Sequence, residues 1–134
     1  MKPFAAAPTI LERDYKGYVT ALDLAWMSDY PIRVGCVAYI NNKRLAGAFN
    51  TLRNSAKNVE FGAATYHAEH NCIRMVPDSF LSKATLYIAR VGKGDYANEM
   101  PSRPCSRCRL LLANSNVPEV VYRNSEGQLV KEYI

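Results

Sequence analysis

Two short stretches of the chain hold most of the side chains that could carry out chemistry. The stretch His67-Ala68-Glu69-His70 contains both histidines of the 134 residues, and Pro104-Cys105-Ser106-Arg107-Cys108 contains two of the four cysteines. Imidazole and thiolate groups are preferred zinc ligands, and a carboxylate beside a metal can move protons. The two stretches together predict a metal centre with an acid/base group next to it.

The spacing of the two cysteines suits one metal ion. Residues three apart share a helix face, so Cys105 and Cys108 can both point at the same ion. The free N–H groups and the dipole at a helix N-terminus favour thiolates. With one imidazole they make three ligands, which leaves a fourth position open, as in a catalytic zinc site. Spacing alone permits either His67 or His70 as the imidazole.

Other interpretations of the cysteines are weaker. A closed structural zinc site needs a fourth ligand, and the spare candidates His70, Cys36 and Cys72 lack a paired zinc-finger spacing. A thioredoxin-like C-x-x-C would follow a strand in a βαβ unit, whereas a long polar loop precedes Cys105. Cys36 and Cys72 lie in apolar segments, and we interpret both as buried small hydrophobic residues.

The scaffold around these stretches is predicted from periodicity and turn residues. Apolar residues at helical spacing predict a first helix over 15–28, with Asp14 as its N-cap and with Trp26 and the tyrosines of that face in the core. The further predicted elements are strands 33–40 and 44–50 joined by a turn at Asn41-Asn42-Lys43, a helix from 67 to before 77, a strand 84–91, a helix 105–114 with Pro104 in its first turn, and strands 119–123 and 128–134.

The connections complete the predicted architecture. Residues 51–64 and 92–103 are predicted loops, and the latter segment is turn-rich. The last two strands are separated by only residues 124–127, which is too short for a crossover helix, so we expect an antiparallel hairpin. The order α-β-β-α-β-α-β-β then predicts an α/β fold: a five-stranded mixed sheet with helices on its faces.

Composition sets the domain organisation and excludes some classes. A chain of this length with 49% hydrophobic residues suits a single domain over 1–134, in which 1–13 form a loose N-terminal arm. No apolar run is long enough for a membrane span, and no secretory signal pattern is found, so we expect a reducing cytoplasm. The net charge of +5 favours contact with phosphate, of a nucleotide or of a polymer.

The motif pair H-x-E and P-C-x-x-C resembles the signature of the zinc-dependent cytidine/deoxycytidylate deaminase superfamily. The resemblance covers residues from Tyr15 to Ile134, and the element order is that of the family. It implies a three-layer α-β-α fold and Zn²⁺ as cofactor. It also implies that His67, Cys105 and Cys108 are the zinc ligands. Glu69 is then the residue that transfers protons.

The glutamate distinguishes the two histidines. The mechanism of this family needs a carboxylate two residues after the ligand at the start of the helix, and His67 alone has one there. His70 is then interpreted as a neighbour of the metal site or as a partly exposed helix residue.

The resemblance also suggests how substrate is held. It implies that the backbone around Ala68 reads the pyrimidine ring, that Asn50 holds the sugar, and that the Arg103 carbonyl faces the amino group to be removed. Four residues with a positive charge or a hydroxyl group are candidates for binding a phosphate: Ser28, Arg33, Arg53 and Arg103.

Two ends of the chain resemble different branches of the superfamily. The stretches "SDYPIRVGCVAYINNKRLAGAFN" and "HAEHN" resemble deoxycytidylate deaminases, whereas the C-terminal hairpin resembles free-cytidine deaminases. Because the first two stretches resemble deoxycytidylate deaminases, the leading hypothesis is hydrolytic deamination of a cytosine nucleotide, dCMP to dUMP, with release of ammonia. The resemblance also implies a homo-oligomer.

Three alternatives remain open. One is a single-stranded nucleic-acid cytosine deaminase, with the loop 92–100 in the groove and Tyr96 or Tyr66 stacked on a base. Another is a free cytidine or deoxycytidine deaminase. The third is a non-catalytic domain that zinc stabilises.

Overall fold

The computed structural model describes residues 9–28, 32–52, 65–92 and 99–134. These residues form helices α1 (Glu12–Trp26), α2 (Ala68–Ile73), α3 (Asp78–Leu81) and α4 (Ser106–Asn114). They also form strands β1 (Arg33–Ile40), β2 (Lys43–Phe49), β3 (Thr51–Leu52), β4 (Thr65–Tyr66), β5 (Thr85–Val91), β6 (Glu99–Met100), β7 (Glu119–Arg123) and β8 (Leu129–Tyr133).

The main sheet has the strand order β2-β1-β5-β7-β8. Strand β1 is antiparallel to both of its neighbours, β5 and β7 are parallel, and β7 and β8 form an antiparallel hairpin. The short β6 pairs with β5 off this path, and β3 and β4 pair separately. The predicted five-stranded mixed sheet and the C-terminal hairpin are confirmed.

Alternate residues along the strands build a core on each face of the sheet. On one face, Tyr18 and Ala21 of α1 pack with Val37 and Tyr87. The opposite face packs against α2 and α4, and its cluster includes Cys36, Cys72, Ile88 and Leu112. The three-layer α-β-α arrangement is therefore confirmed. Cys36 and Cys72 are both fully buried, as predicted.

The start of α1 differs from the prediction. The N-cap is Leu11, and Asp14 lies three residues further on, inside the helix. The Asp14 side chain accepts a hydrogen bond from the Leu11 N–H (2.7 Å), while the Asp14 N–H donates to the Leu11 carbonyl (2.9 Å). Because this reciprocal pair starts the helix at Glu12, the predicted arm over 1–13 includes two helical residues. Residues 1–8 lie outside the described part of the chain.

The Asp14 carboxylate also joins three elements in the interior. It is 1% exposed, accepts a hydrogen bond from the Tyr87 hydroxyl (2.7 Å) and lies 2.9 Å from Lys131 Nζ. Burial opposes ionisation of this group, but the Leu11 N–H, Lys131 and Tyr87 together hold its pKa below the ordinary value. The charge is thus paired and hydrogen-bonded, and it links α1, β5 and β8.

The prediction that Trp26 and the tyrosines of α1 lie in the core is wrong for two of the three residues. Tyr15 and Trp26 are 56% and 44% exposed, and only Tyr18 is buried. The reason is that α1 approaches the sheet through its small residues: a Cβ at Gly35 would collide with the backbone carbonyl of Ala21. Large side chains cannot enter so narrow a gap and lie on the outer face of the helix.

Smaller differences follow from local turns. The segments predicted as loops contain β3 and β6, α2 ends at Ile73, and α3 follows it as a short separate helix. Pro104 precedes α4, because the N-cap is Cys105. In the predicted turn of the first hairpin, Asn41 adopts a left-handed conformation with φ of 54°. Among the described residues, no helix combines the length and apolarity that crossing a membrane requires.

We expect Gly35→Ala to destabilise the protein by at least about 1–3 kcal/mol, because the new methyl group meets helix backbone that cannot rotate away. Gly47→Ala is the control, since its methyl group meets the flexible ends of Arg44 and Leu24. Urea unfolding of the three proteins measures the difference. Equal midpoints for the two variants would contradict the close approach of α1 to β1.

Candidate functional site

Three potential metal ligands converge where α2 and α4 begin. His67 is the N-cap of α2, Cys105 is the N-cap of α4, and Cys108 lies in the first turn of α4. The ligand atoms of the three residues all lie within 4.8 Å of one another, and His67 Nδ1 is 3.2 Å from Cys108 Sγ. Cys105 thus precedes the helix instead of lying in it, but the two sulfurs still converge as the spacing predicts.

The donor set fits zinc. Zinc binds sulfur at about 2.3 Å and imidazole nitrogen at about 2.0–2.1 Å, so its tetrahedral ligands lie roughly 3.3–3.8 Å apart. The three atoms are within small side-chain adjustments of that spacing. In the part of the chain that the structure describes, no fourth histidine, cysteine or carboxylate joins the group. Three protein ligands leave one coordination position for water, which is the arrangement of a catalytic site.

Without a bound metal ion, the surroundings of Cys108 favour its protonated thiol over the thiolate. This side chain is 4% exposed, and burial raises its pKa well above the ordinary value. The negative charges of Glu69 and Cys105 act in the same direction. A divalent ion bound by this sulfur must therefore displace a proton, so metal affinity increases with pH.

Glu69 and His70 have different surroundings. Glu69, in the first turn of α2, is 5% exposed and faces the same cavity as His67 and Cys105. Because it lies two residues after His67 and lines the cavity that His67 and Cys105 also line, its carboxyl group is beside the ligand set. His70 is exposed and does not belong to the group of potential ligands.

A cavity of about 240 Å³ opens beside the ligands. Its size is slightly below the usual range of small-ligand pockets, which is roughly 300–1,000 Å³. Its wall combines apolar and polar groups from β1, β5, the end of β2, the start of α2 and the segment before α4: Ile32, Val34, Asn50, His67, Ala68, Glu69, Ile88, Arg90, Pro101, Ser102, Arg103 and Cys105. Four of the predicted site residues outside the metal centre are thus assembled in one place: Asn50, Ala68, Glu69 and Arg103.

Asn50 lines the cavity but also holds the start of β1. Its Oδ1 accepts a hydrogen bond from the Val34 N–H (2.9 Å), and its Nδ2 donates to the Ile32 carbonyl (2.8 Å). The Ser28 hydroxyl donates to the backbone carbonyl of Asn50 (2.8 Å) and is not part of the cavity wall. Binding of the sugar by Asn50 and of phosphate by Ser28 remain predictions.

The predicted phosphate-binding arginines occupy different places. Arg33 donates to the Gly92 carbonyl (3.1 Å), and its guanidinium carbon lies 4.6 Å from the centre of the Trp26 ring. It does not line the cavity. Arg103 lines the cavity, but its guanidinium pairs with Glu132 at 3.1 Å. Arg53, Tyr96 and the side chain of Tyr66 lie outside what the structure describes, as do residues 93–98 of the loop assigned to nucleic acid.

Glu132 of β8 is the centre of a polar cluster at the rim of the cavity. Besides Arg103, it accepts hydrogen bonds from Arg109 (2.6 Å) and from the Tyr122 hydroxyl (2.7 Å). The Arg103 hydrogen bond contributes most to lowering the pKa of Glu132 to about 2, and burial opposes it. The C-terminal hairpin is thereby fastened to the residue that precedes Pro104.

Ser102 was missed by the sequence analysis although it fixes the approach to α4. Its hydroxyl donates to the Ile88 carbonyl (2.7 Å) and accepts from the Arg123 N–H (3.1 Å). Its own N–H donates to the Arg123 carbonyl (2.9 Å). No periodic pattern reveals this role, because all three partners are distant in the sequence.

Arg90 was missed as well. Its Nε is buried, and it has no hydrogen-bond partner among the described residues, although the side chain lines the cavity. An unsatisfied buried donor costs about 1–3 kcal/mol, and more when it is charged. The sequence does carry a signal: the arginine interrupts an apolar strand two positions after Ile88, which puts both on the same face of the sheet.

Comparison with known protein families agrees with this geometry. The family described as "Cytidine and deoxycytidylate deaminase zinc-binding region" matches residues 11–124. The chain belongs to this family of zinc-binding hydrolytic deaminases, which act on C–N bonds. The resemblance stated from the motifs, the zinc cofactor and the enzyme class are therefore confirmed.

Solved structures show the same fold. The dCMP deaminase of the cyanophage S-TIM5 is 22% identical, with a TM-score of 0.63 over 87% of this chain and 86% of its own. A second structure of that enzyme, in complex with dCMP and dUMP, has a TM-score of 0.59 at 20% identity over 87% of this chain and 85% of its own. The cytidine deaminase of Burkholderia pseudomallei is 18% identical, with a TM-score of 0.62 over 92% and 93% of the two chains. A comparison with curated proteins found no match.

We expect His67→Ala to lose zinc and His70→Ala to keep it, because only the imidazole of His67 lies with the two sulfurs. The zinc content of the purified proteins, measured by elemental analysis at equal protein concentration, gives the answer. The two substitutions remove the same side chain three residues apart, so each serves as the control for the other. Loss of zinc from His70→Ala alone would contradict the ligand assignment.

We expect Glu132→Gln to destabilise the protein above about pH 5 by on the order of 1 kcal/mol, since its partners are partly solvated. The folded pKa of about 2 lies below the ordinary value of about 4.3. The stabilisation by the carboxylate is therefore present above the ordinary pKa and disappears as the pH falls towards 2. The difference in unfolding free energy between the two proteins, measured at several pH values, should shrink over that range. A difference that does not depend on pH would contradict the assignment.

Proposed function

We propose that the chain hydrolytically deaminates a cytosine nucleotide, converting dCMP to dUMP with release of ammonia. The observation that carries the proposal is the position of Glu69, a buried carboxyl group facing the same cavity as His67 and Cys105. This combination provides both a metal-binding set and a proton carrier at one place. The substrate class is the part of the proposal that requires an assay.

The residues of the site have distinct tasks in this reaction. When zinc is bound by the three ligands, it supplies a Lewis acid that makes water nucleophilic at neutral pH. The Glu69 carboxylate accepts a proton from the attacking water and passes it to ring N3. It then accepts the second proton, from the new C4 hydroxyl, and passes it to the leaving amine. Overall, water adds at C4, the C4–N bond breaks, and ammonia leaves.

The cavity wall orients the ring for that transfer. Val34 and Ile88 present apolar surface from two neighbouring strands, which suits the faces of a pyrimidine and excludes bulk water. Ala68 lies between His67 and Glu69 and also lines the cavity, so we expect its backbone to read the ring edge. The Arg103 carbonyl keeps its predicted role of accepting from the amino group.

Two observations support different substrates. The structural neighbour from S-TIM5 is described in complex with dCMP and dUMP, and the arginines near the cavity favour a phosphate-bearing ligand. The antiparallel β7–β8 hairpin and the neighbour from Burkholderia pseudomallei favour a free nucleoside as the second candidate. Since identities of 18–22% concern the fold alone, the choice between them belongs to experiment.

The test is a substrate panel. Purified zinc-loaded protein is incubated with cytidine, deoxycytidine, CMP, dCMP, dCTP and single-stranded DNA, and ammonia and uracil products are quantified. We expect the highest kcat/KM with dCMP. A preference for nucleosides supports the second candidate, and products formed on DNA with a steep loss of binding in salt support a polymer substrate. No product from any of these compounds would rule out the proposed deamination of cytosine.

Further properties remain predictions that accompany this function. They are a single domain over residues 1–134, a homo-oligomer and a cytoplasmic location. Size-exclusion chromatography with light scattering tests the oligomer directly.

We expect Glu69→Gln and Glu69→Ala to keep zinc and to lower kcat by roughly 10²–10⁴-fold, because the metal ligands stay while the proton carrier is lost. Zinc content and turnover are measured on the same preparations. Glu126→Gln, at an exposed position of the last hairpin, is the control for removing a carboxylate. Full turnover in Glu69→Ala would remove this mechanism.

A further inference from the structure

Arg90 is a cation in the wall of the cavity that the metal chemistry does not use. It lies on β5, and its side chain lines the cavity together with Ile88 and Glu69. Its Nε is buried and finds no hydrogen-bond partner among the described residues. A buried guanidinium donor in an apolar strand with no described partner is costly to the protein, which indicates a ligand-binding role for this side chain.

Arg33 and Arg103, the other candidate arginines that the structure describes, are already engaged. The guanidinium of Arg33 is bound to the Gly92 carbonyl and stacked on Trp26. The Arg103 guanidinium forms two hydrogen bonds with Glu132, at 3.1 and 3.3 Å, so its charge is compensated. Arg90 is the cavity arginine whose charge has no described counter-ion.

The position of Arg90 places it away from the reacting end of a substrate. In the register of β1 and β5, Arg90 is opposite Val34, whose N–H is bound by the Asn50 side chain. Asn50 is the residue that the resemblance assigns to the sugar. Arg90 therefore lies at the sugar end of the cavity, whereas Glu69 and the ligands form the end for the amino group. A group attached to the sugar is the part of the substrate that reaches Arg90.

We infer that Arg90 is a specificity-determining residue that binds the 5′-phosphate of a nucleoside monophosphate. This inference rests on the proposed deaminase function and assigns the recognition of nucleotide over nucleoside to one side chain. The guanidinium offers planar paired donors that match phosphate oxygens. A bound phosphate would also satisfy the buried Nε donor.

The test compares dCMP with deoxycytidine, which differ only in the phosphate. Wild type, Arg90→Met, Arg90→Lys and the exposed control Arg44→Met are assayed with both substrates, and zinc content and melting temperature are recorded. We expect Arg90→Met to raise the KM for dCMP roughly 10- to 100-fold, with the KM for deoxycytidine nearly unchanged. Arg90→Lys should retain part of the preference for dCMP, because it keeps a charge but loses the paired donors. Arg44→Met should behave like wild type.

A second measurement needs no variant. In the wild type, dUMP should inhibit at least about 10-fold more strongly than deoxyuridine, because only the nucleotide reaches Arg90. Equal inhibition by the two products would overturn the inference, and so would equal losses on both substrates in Arg90→Met. In either case, formation of uracil products by the wild-type protein would still support the proposed deaminase function. A wild type inactive on every compound overturns the function itself.

Discussion

The N-termini of α2 and α4 must meet over one face of the sheet for this protein to have a site at all. Each helix begins at a residue that could bind the metal, so the first turns carry both the ligand geometry and the positive ends of the helix dipoles. The approach is possible because the surfaces in contact are small: α2 packs through Ala68 and Cys72 onto Cys36 and the alanines of β2. Larger side chains there would lift α2 from the sheet and separate His67 from the two sulfurs.

Strand β8, at the end of the main sheet, also connects the two layers of helices, although its residues are only partly buried. Successive residues of β8 point to opposite faces of the sheet, so Lys131 reaches Asp14 under α1 while Glu132 reaches Arg103 on the metal side. One strand thus places a cation in one layer and an anion in the other. Charge pairing here adds to the apolar packing of Leu129 and Val130 against the two core clusters. It also fixes the strand register, because a slip by one residue would exchange the two faces.

The features that could be predicted are those determined by residues close together in the sequence. Periodicity gave the principal helices and strands, and the short gap at residues 124–127 implied the hairpin. The spacing of His67, Glu69 and the two cysteines was sufficient to identify the metal chemistry. What the sequence did not reveal depends on long-range contacts: the exposure of Trp26 follows from the close approach at Gly35, and the fixed position of Arg103 follows from Glu132. Arg90 carries a visible local signal, a charge within an apolar strand, but its meaning depends on which face of the sheet holds the metal.

The pairing of Asp14 with Lys131 has a consequence for how the chain is made. On the ribosome α1 emerges first, and its carboxylate has no buried cation to bind until β8 has been synthesised. The same strand delivers Glu132 to the cavity rim, so the charge pairs on both faces of the sheet form only after β8 has been synthesised. Until then the edge of β7 that β8 covers is unpaired, and unpaired strand edges are prone to pair with other chains.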